Sequence, residues 1–358
     1  MAKQTVIPFG PQHPVLPEPV HLDLVLEDET VVQAIPSIGF VHRGLEKLVE
    51  TKEYTELMYV TERICGICAF GHNWGYCLAA EGLMKIQIPE RAEMLRTLWH
   101  ELSRVHSHLL WLGLLADAFG FESLFQHCWR VRERVLDLFE ATTGGRVIFS
   151  VCKVGGVHRD IEPEMLQKIA ATVEGMKKET KELCDVFVND YSVKNRLVGV
   201  GTVTKEQAAD LCAVGPTSRG SGIPSDMRSF NPTYQKLGFE PVVEEAGDCY
   251  ARTMVRIREL YQSMDLVIAA CNNMPEGDIA VPVKAKPEGE FMARLEQPRG
   301  EAIYYLKGNG TKFLERMRIR TPTNINIPFL VKALEGCDLA DVPVIVLSID
   351  PCISCTER

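Results

Sequence analysis

The chain has 358 residues, 46% apolar, 24% charged and 8% aromatic, an ordinary soluble globular composition with enough length to bury a sizeable core without disulfides. Lysine and arginine number 39 against 48 aspartates and glutamates, a net charge of −9. That balance excludes a general nucleic-acid binder and a polybasic membrane anchor, which both need a cationic footprint.

The N-terminal stretch MAKQTVIPFGPQHP carries prolines and no apolar h-region, so no signal peptide is expected. GPQHPVLPEP is too rich in proline for regular helix. In VHLDLVLEDETVVQAIPSI, alternating apolar runs over 20–26 and 30–35 flank a polar EDE, which predicts a hairpin.

The middle of the chain is helical. Leu95, Leu98, Leu102, Val105, Leu109, Leu112, Ala116 and Phe119 recur in alternating steps of three and four. After a break at Gly120, Leu124, Cys128, Val131, Val135 and Leu138 continue the pattern. Leu166, Ile169, Val173, Met176, Leu183 and Phe187 form a third seam, and Tyr250, Met254, Ile257, Tyr261, Met264, Ile268 and Cys271 a fourth. Four seams predict long helices packed as a bundle. The first, over 89–119, should run about 45 Å at ~1.5 Å per residue. Its apolar part, 109–121, is broken by Asp117 and is too short to span a bilayer.

Residues 199–241, rich in Gly, Pro and Ser, read as loops with short helices. Beyond Val281 β character returns. GEAIYYLKGNG reads as a strand ending in a turn, and VPVIVLSIDPC as a short buried strand that delivers Cys352 to its end. The expected architecture is mainly α, with a long-helix bundle at the core and small β elements at the N- and C-terminal ends. No linker is evident, so residues 1–358 are expected to form one domain.

Twelve cysteines in a chain with no export signal argue against a disulfide framework. Cys77, Cys128, Cys152, Cys184, Cys212, Cys249, Cys271 and Cys337 stand alone and are expected as buried small apolar residues. The other four form Cys-x-x-Cys pairs, Cys65/Cys68 in TERICGICAFGHNWGYC and Cys352/Cys355 in SIDPCISCTER. The helical-looking run after Cys68 places the first pair at a helix N-terminus, where backbone N–H groups and the dipole favour thiolates. His72 follows one turn later on the same face. Two such pairs can supply four soft, negative ligands to one centre. A four-cysteine zinc site is open to the same set, although zinc modules keep their pairs close in sequence. A thioredoxin-like role lacks its βαβ context.

R-I-C-G-I-C-x-x-x-H over 63–72, with D-P-C-x-x-C-x-x-R over 350–358, resembles the paired signatures of NiFe hydrogenase large subunits. GPQHPVLPEP, FVHRGLEKL, ELSRVHSHLLWLGLLADAFG and QPRGEAIYYL resemble the energy-converting, membrane-bound (Ech-type) branch, itself related to the quinone-site 49 kDa subunit of respiratory complex I.

The resemblance implies reversible heterolytic cleavage and formation of H2. Cys65 and Cys352 would be terminal nickel ligands, and Cys68 and Cys355 would bridge nickel to an iron that also carries CO and cyanide. Four thiolates would balance Ni(II) plus Fe(II). Glu18 matches the first proton relay. Arg299 matches the arginine over the metal pair, and Asp350 joins its surroundings. Arg63 would lower thiolate pKa values or pair with a carboxylate, and His72 would donate near a sulfur. Without the resemblance these five read as a loop glutamate, a turn arginine, a strand-end cap, an ion-pair partner and a core histidine. Glu46 matches a ligand to a separate Mg2+ or Fe2+. The usual histidine of that site is replaced by Arg358, whose charge is expected to stand in for the ion and pair with Glu46.

No cysteine set for an iron–sulfur cluster remains beyond the four ligands. Electrons would therefore leave through a small subunit with a proximal 4Fe–4S cluster and a ferredoxin-type iron–sulfur subunit. Ferredoxin would be the external carrier, and integral-membrane subunits would translocate ions. The chain would lie on the cytoplasmic face of the cell membrane, held there by these partners. The rival readings are a quinone-site complex I subunit, which lacks the four thiolates, and a zinc-stapled scaffold. A carbon-monoxide-linked or formate-linked hydrogenase is a further variant within the family.

Overall fold

The computed structural model describes residues 4–14 and 16–358; the start of the N-terminal stretch and Val15 of GPQHPVLPEP lie outside it. Helices hold 52% of the residues, so the chain is mainly α as expected. The four seams form the helices Glu90–Ala118, Glu122–Thr143, Pro163–Asn189 and Cys249–Asn272. Each end has a local cause. Glu90 and Glu93 in the first turn complement the dipole of the first helix, and Gly120, in the left-handed region, follows its end. Pro163 opens the third helix, and the Asp248 carboxylate accepts from the Ala251 N–H at 2.7 Å to cap the fourth.

These helices pack in a closed ring. Glu90–Ala118 lies against Glu122–Thr143 and Cys249–Asn272, and Pro163–Asn189 closes the other side against both. The first apolar stripe is fully buried from Leu95 to Leu112. On the fourth helix Ile257, Met264 and Cys271 of the expected seam are buried, while Tyr250, Met254, Tyr261 and Ile268 are half-buried and Leu260 and Val267 complete the inward face.

Two three-stranded antiparallel sheets flank the bundle. The predicted hairpin is present as His21–Glu27 and Thr30–Ser37, with Gln4–Phe9 added on the outer side of the first strand. The second sheet contains Glu288–Gln297, Gly300–Asn309 and Leu314–Arg320. Gln297 pairs with Gly300, so Pro298 and Arg299 form a two-residue turn that aims Arg299 into the protein. The helix Ala69–Met84 packs against the first strand of this sheet. The 199–241 region holds only short helices, as its composition predicts.

One element differs from expectation. VPVIVLS is the helix Val342–Ser348, not a strand. It is apolar all round and almost wholly buried, so no period distinguishes the two states. Pro343 fits a first helical turn and Trp111 Nε1 donates to the Leu347 carbonyl at 2.7 Å. Two lone cysteines also depart from the expected burial: Cys212 is exposed and Cys337 half-buried, while the other six are buried.

Candidate metal centre

The two Cys-x-x-Cys pairs meet. Cys65 Sγ lies 3.3 Å from Cys352 Sγ, Cys68 Sγ 3.3 Å from Cys355 Sγ, and Cys352 Sγ 3.0 Å from Cys355 Sγ. All four sulfurs lie within 4.8 Å of one another and all four residues are buried. Among the described residues, no other group of three or more His, Cys, Asp or Glu side chains converges in this way.

Local structure produces each arm. Cys68 is the N-cap of Ala69–Met84, and the N–H groups of Ile67 and Cys68 point at Cys65 Sγ from 3.3 and 3.4 Å. On the other arm, Val342–Ser348 ends and Asp350 turns the chain with φ 55°. Aspartate tolerates that left-handed conformation better than most residues. Pro351 and Cys352 then lead into the single helical turn Ile353–Thr356, where Cys355 sits. Thr323 Oγ1 accepts from the Cys352 N–H at 3.1 Å.

Four buried sulfurs, linked by three contacts of 3.0–3.3 Å that are shorter than van der Waals contact, suit a shared metal centre. Hydrogen bonds from Cys352, Cys355 and Cys65 hold the Cys68 group well below the usual thiol range. Cys355 pulls Cys352 down, but hydrogen bonding to Cys65 and Cys68 outweighs it and pushes Cys352 up, and burial pushes Cys355 up. One thiolate is therefore favoured before a cation is bound, and a bound metal would draw off the other protons. The soft, anionic donor set fits nickel and iron, and equally admits zinc.

The expected neighbours are placed as follows. His72 Nε2 faces Cys355 Sγ at 3.3 Å, and its Nδ1 meets the Tyr304 hydroxyl at 2.8 Å. Tyr304 in turn accepts from Gln297 Nε2 at 2.8 Å. This chain lets Tyr304 donate to Nδ1 and leaves the Nε2 hydrogen for the sulfur. Arg299 is buried, with Nε 2.8 Å from the Asp350 carbonyl and Nη2 2.7 Å from Asp350 Oδ1. Burial opposes its charge, but Asp350 and the Cys352, Cys68 and Cys65 sulfurs outweigh that and keep the guanidinium charged.

Glu18 reaches the second cysteine loop. Its carboxylate accepts from the Ile353 N–H, from the Ser354 N–H at 3.1 Å and from Ser354 Oγ. It thereby holds the backbone between Cys352 and Cys355. The Arg63 guanidinium is half exposed and contacts Glu62 at 3.3 Å, the Tyr59 carbonyl at 2.9 Å and Ser150 at 3.2 Å. Among the described residues none of its partners is a sulfur.

Glu46 accepts from Arg318 Nη1 at 2.5 Å, the Ile319 N–H at 3.0 Å and Arg358 Nε at 3.1 Å. Burial pulls its pKa up, but those three donors outweigh it and leave it below the usual carboxylate range. Two guanidiniums and an N–H already fill this carboxylate, so the residues present do not fit a divalent cation.

Three supports were not anticipated from sequence. Arg43 donates to the carbonyls of Arg63 and Ile64 at 2.8 and 2.7 Å and approaches the Ser354 carbonyl at 3.5 Å, tying the two cysteine loops. Glu357 takes the N–H groups of Gly39 and Val41, both at 2.5 Å. Tyr304 had one available signal: with Ala302 and Leu306 it lies on the inward face of its strand.

Comparison with known proteins agrees with this geometry. A family model described as "Respiratory-chain NADH dehydrogenase, 49 Kd subunit" matches residues 118–286 and 282–358. One described as "Nickel-dependent hydrogenase" matches 43–117. The membrane-bound hydrogenase subunit alpha of Pyrococcus furiosus is 40% identical, over 98% of this chain and 87% of its own. The carbon monoxide-induced hydrogenase of Rhodospirillum rubrum is 37% identical, over 98% of this chain and 99% of its own. A chain from the membrane-bound sulfane sulfur reductase, an archaeal respiratory membrane complex, superposes with a TM-score of 0.94 at 32% identity, covering 99% of this chain and 98% of that one. The chain belongs to the family that unites the nickel-dependent hydrogenases with the 49 kDa subunit of the respiratory-chain NADH dehydrogenase.

Proposed function

We propose that the chain, as one domain, is the catalytic large subunit of a ferredoxin-linked NiFe hydrogenase that interconverts H2 with two protons and two electrons. The observation that carries this reading is the convergence of four buried cysteine sulfurs from opposite ends of the chain. The 49 kDa family model covers the larger share of the sequence, but a quinone-site role has no use for four thiolates at one point.

Cys65, Cys68, Cys352 and Cys355 would hold the nickel, with Cys68 and Cys355 shared with an iron bearing CO and cyanide. When bound, the pair supplies the redox chemistry that splits H2 heterolytically. The chain's own residues do the rest. His72 donates to Cys355 Sγ and limits the charge that sulfur carries. Arg299, locked on Asp350, places a fixed positive charge beside the sulfurs where water is excluded. Glu18 is positioned at the loop between two ligands, with Ser354 Oγ against its Oε1, and takes the departing proton. Arg63 contributes by bracing the approach to Cys65 through Glu62 rather than by contact with the metals.

Electrons leave through a small subunit with a proximal 4Fe–4S cluster and a ferredoxin-type subunit to ferredoxin. Integral-membrane subunits couple turnover to ion translocation and hold this chain at the inner face of the membrane. No helix among the described residues is long and apolar enough to cross a bilayer, so attachment through partners fits.

Metal analysis of the purified complex, with infrared spectroscopy of the iron's diatomic ligands, tests the proposal. The expected result is one nickel per chain together with CO and cyanide stretching bands. Zinc alone at the four cysteines, or no transition metal, would overturn it.

A further inference from the structure

A second, wholly buried ionic cluster that the proposed reaction does not use is joined to the cysteine centre through the strand end that leads from Glu296 to Arg299. It contains four carboxyl groups. Glu101 comes from Glu90–Ala118, Glu259 from Cys249–Asn272, Glu296 from the end of Glu288–Gln297, and Asp226 precedes a short helical turn. Against them stand three guanidiniums, Arg104, Arg219 and Arg228. None of these seven residues is more than 2% exposed.

In direct ion pairs, four carboxyl groups share three guanidiniums. Arg219 alone serves three carboxylates: Glu259 and Glu296, each at 2.7 Å, and Asp226 at 3.2 Å. Arg228 grips Asp226 with two hydrogen bonds and reaches Glu101 at 3.4 Å. Arg104 also reaches Glu101 at 3.4 Å, while its Nη2 is spent on the Glu296 carbonyl. The histidines do not make up the deficit. Burial pushes His100 down to about 3 and His108 down to about 4, so both are neutral near pH 7. Arg256 lies over the Trp111 ring at 4.4 Å and donates to the Arg252 carbonyl. Its charge acts on Asp350 and Glu259 through space, and among the described residues it forms no direct ion pair with the cluster.

An uncompensated buried charge is far costlier than a bound proton. The proton belongs on the carboxyl with the poorest compensation. Glu101 accepts from Tyr234 and Ser263 as well as its arginines, Asp226 has two guanidiniums, and Glu259 has Arg219 and His108. Glu296 Oε1 shares Arg219, and Oε2 has only the Met227 N–H at 3.2 Å. The other neighbouring charges are engaged. Cross-strand Glu301 is held by Arg294 and Arg320, and Ala69–Met84 directs Glu81 to Arg96 and His72 to Tyr304 and Cys355.

We propose that this cluster is a proton-holding site, in which the Glu296 carboxylate takes up one proton at Oε2 and releases it again as the charge around it changes. The location gives the site its reach. Glu296 begins the segment Glu296–Gln297–Pro298–Arg299, whose next side chain supports Tyr304 and His72 and whose last grips Asp350. A proton gained or lost there alters the field at the strand end that positions both supports of the sulfurs. Burial, with Asp226 behind it, pushes the Glu296 carboxyl up to about 7, which puts the exchange near neutral pH. Proton holding stands on the cluster alone, while its effect on the centre rests on the nickel reading above.

The test is a pH titration of the full chain in its purified complex, followed by infrared difference spectroscopy of protonated carboxyl groups. The wild type should show a carboxyl band that titrates near neutral pH and shifts on 13C-glutamate labelling. Glu296→Gln should abolish it. Asp226→Asn removes one of the three carboxylates that compete with Glu296, so it should lower the midpoint by about one unit or more. The proposal is overturned if no glutamate band titrates near neutral pH, if the band survives Glu296→Gln, or if Asp226→Asn leaves its midpoint in place. The band is read on metal-free protein as readily as on loaded protein, so this result and the nickel analysis fail independently.

Discussion

Cys65 and Cys352 are 287 positions apart in the chain, yet their sulfurs lie 3.3 Å from each other in the core. The contact is possible because two separate chain segments end at the same point. One is the turn ahead of Ala69–Met84, and the other is the left-handed Asp350 turn after Val342–Ser348. If this meeting point is a nickel centre, its loss should be symmetric. Cys65→Ser and Cys352→Ser should each bring nickel down to background by metal analysis. Circular dichroism should remain helical, because the four-helix ring does not depend on the sulfurs. Full nickel retention by either variant would contradict the assignment.

The same two segments show what a sequence can and cannot disclose. The four long helices were legible because each buries one stripe, and a stripe leaves a period. The cysteines were legible because two Cys-x-x-Cys pairs form a recurrent metal-ligand spacing. Val342–Ser348 was misread because burial on every side erases the period that separates helix from strand. Arg43 and Glu357 were missed for another reason. They act on backbone groups of remote loops, and no local pattern in FVHRGLEKL or CTER announces those partners.

Tyr304→Phe tests the support behind His72. The variant keeps the ring but leaves His72 Nδ1 and Gln297 Nε2 without a shared partner in a buried site. The unfolding free energy should fall by about 1–3 kcal/mol. If the cysteines hold the proposed metal centre, metal affinity should fall roughly 10–100-fold, as for other partners behind a ligand sphere. Denaturant titration and metal analysis give the two readings separately. A variant indistinguishable from wild type in both would show that His72 is held by packing alone.

Glu46 should make the protein indifferent to divalent cations at this position. Its carboxylate is filled by Arg318, Arg358 and the Ile319 N–H. Neither millimolar Mg2+ nor a chelator should shift the melting temperature through this site. Glu46→Ala, in contrast, removes the partner of half-buried Arg358 and of exposed Arg318 and should cost about 1 kcal/mol or less. A Mg2+-dependent rise in melting temperature that Glu46→Ala abolishes would refute the surrogate role of Arg358.

Glu296 also carries a stability signature. Its carboxyl is raised to about 7 in the folded protein, against an ordinary value of about 4.3 when unfolded. Between these values the folded state binds more protons than the unfolded state. Its contribution to stability is therefore full below the unfolded pKa and is lost as pH rises through the folded one. Glu296→Gln removes that slope. Denaturation of both proteins across pH 5 to pH 8, a range set by roughly those two pKa values, should show the variant gaining on the wild type as pH rises. Parallel curves would place the missing charge elsewhere.

The position of Arg299 depends on two glycines that meet backbone to backbone. Gly215 has φ 72° and Gly300 φ 130°, both in territory that favours glycine. A Cβ on Gly215 would stand 2.4 Å from the Arg299 carbonyl oxygen and 2.4 Å from Gly300 Cα. Both obstacles are main chain and cannot swing aside. Gly215→Ala must therefore move the turn that aims Arg299 at Asp350. Gly336→Ala is the matched control, since Gly336 has a similar φ of 79° with nothing within 4 Å of its added Cβ. The control should lose only the conformational cost, about 1–3 kcal/mol, and, on the proposed nickel reading, retain the metal. Gly215→Ala should lose clearly more stability than the control and, on the same reading, release the metal, because the Arg299 charge no longer stands against the sulfurs. Equal losses in the two variants, with nickel retained in both, would mean that Arg299 tolerates displacement and that the close approach of Gly215 and Gly300 matters only for packing.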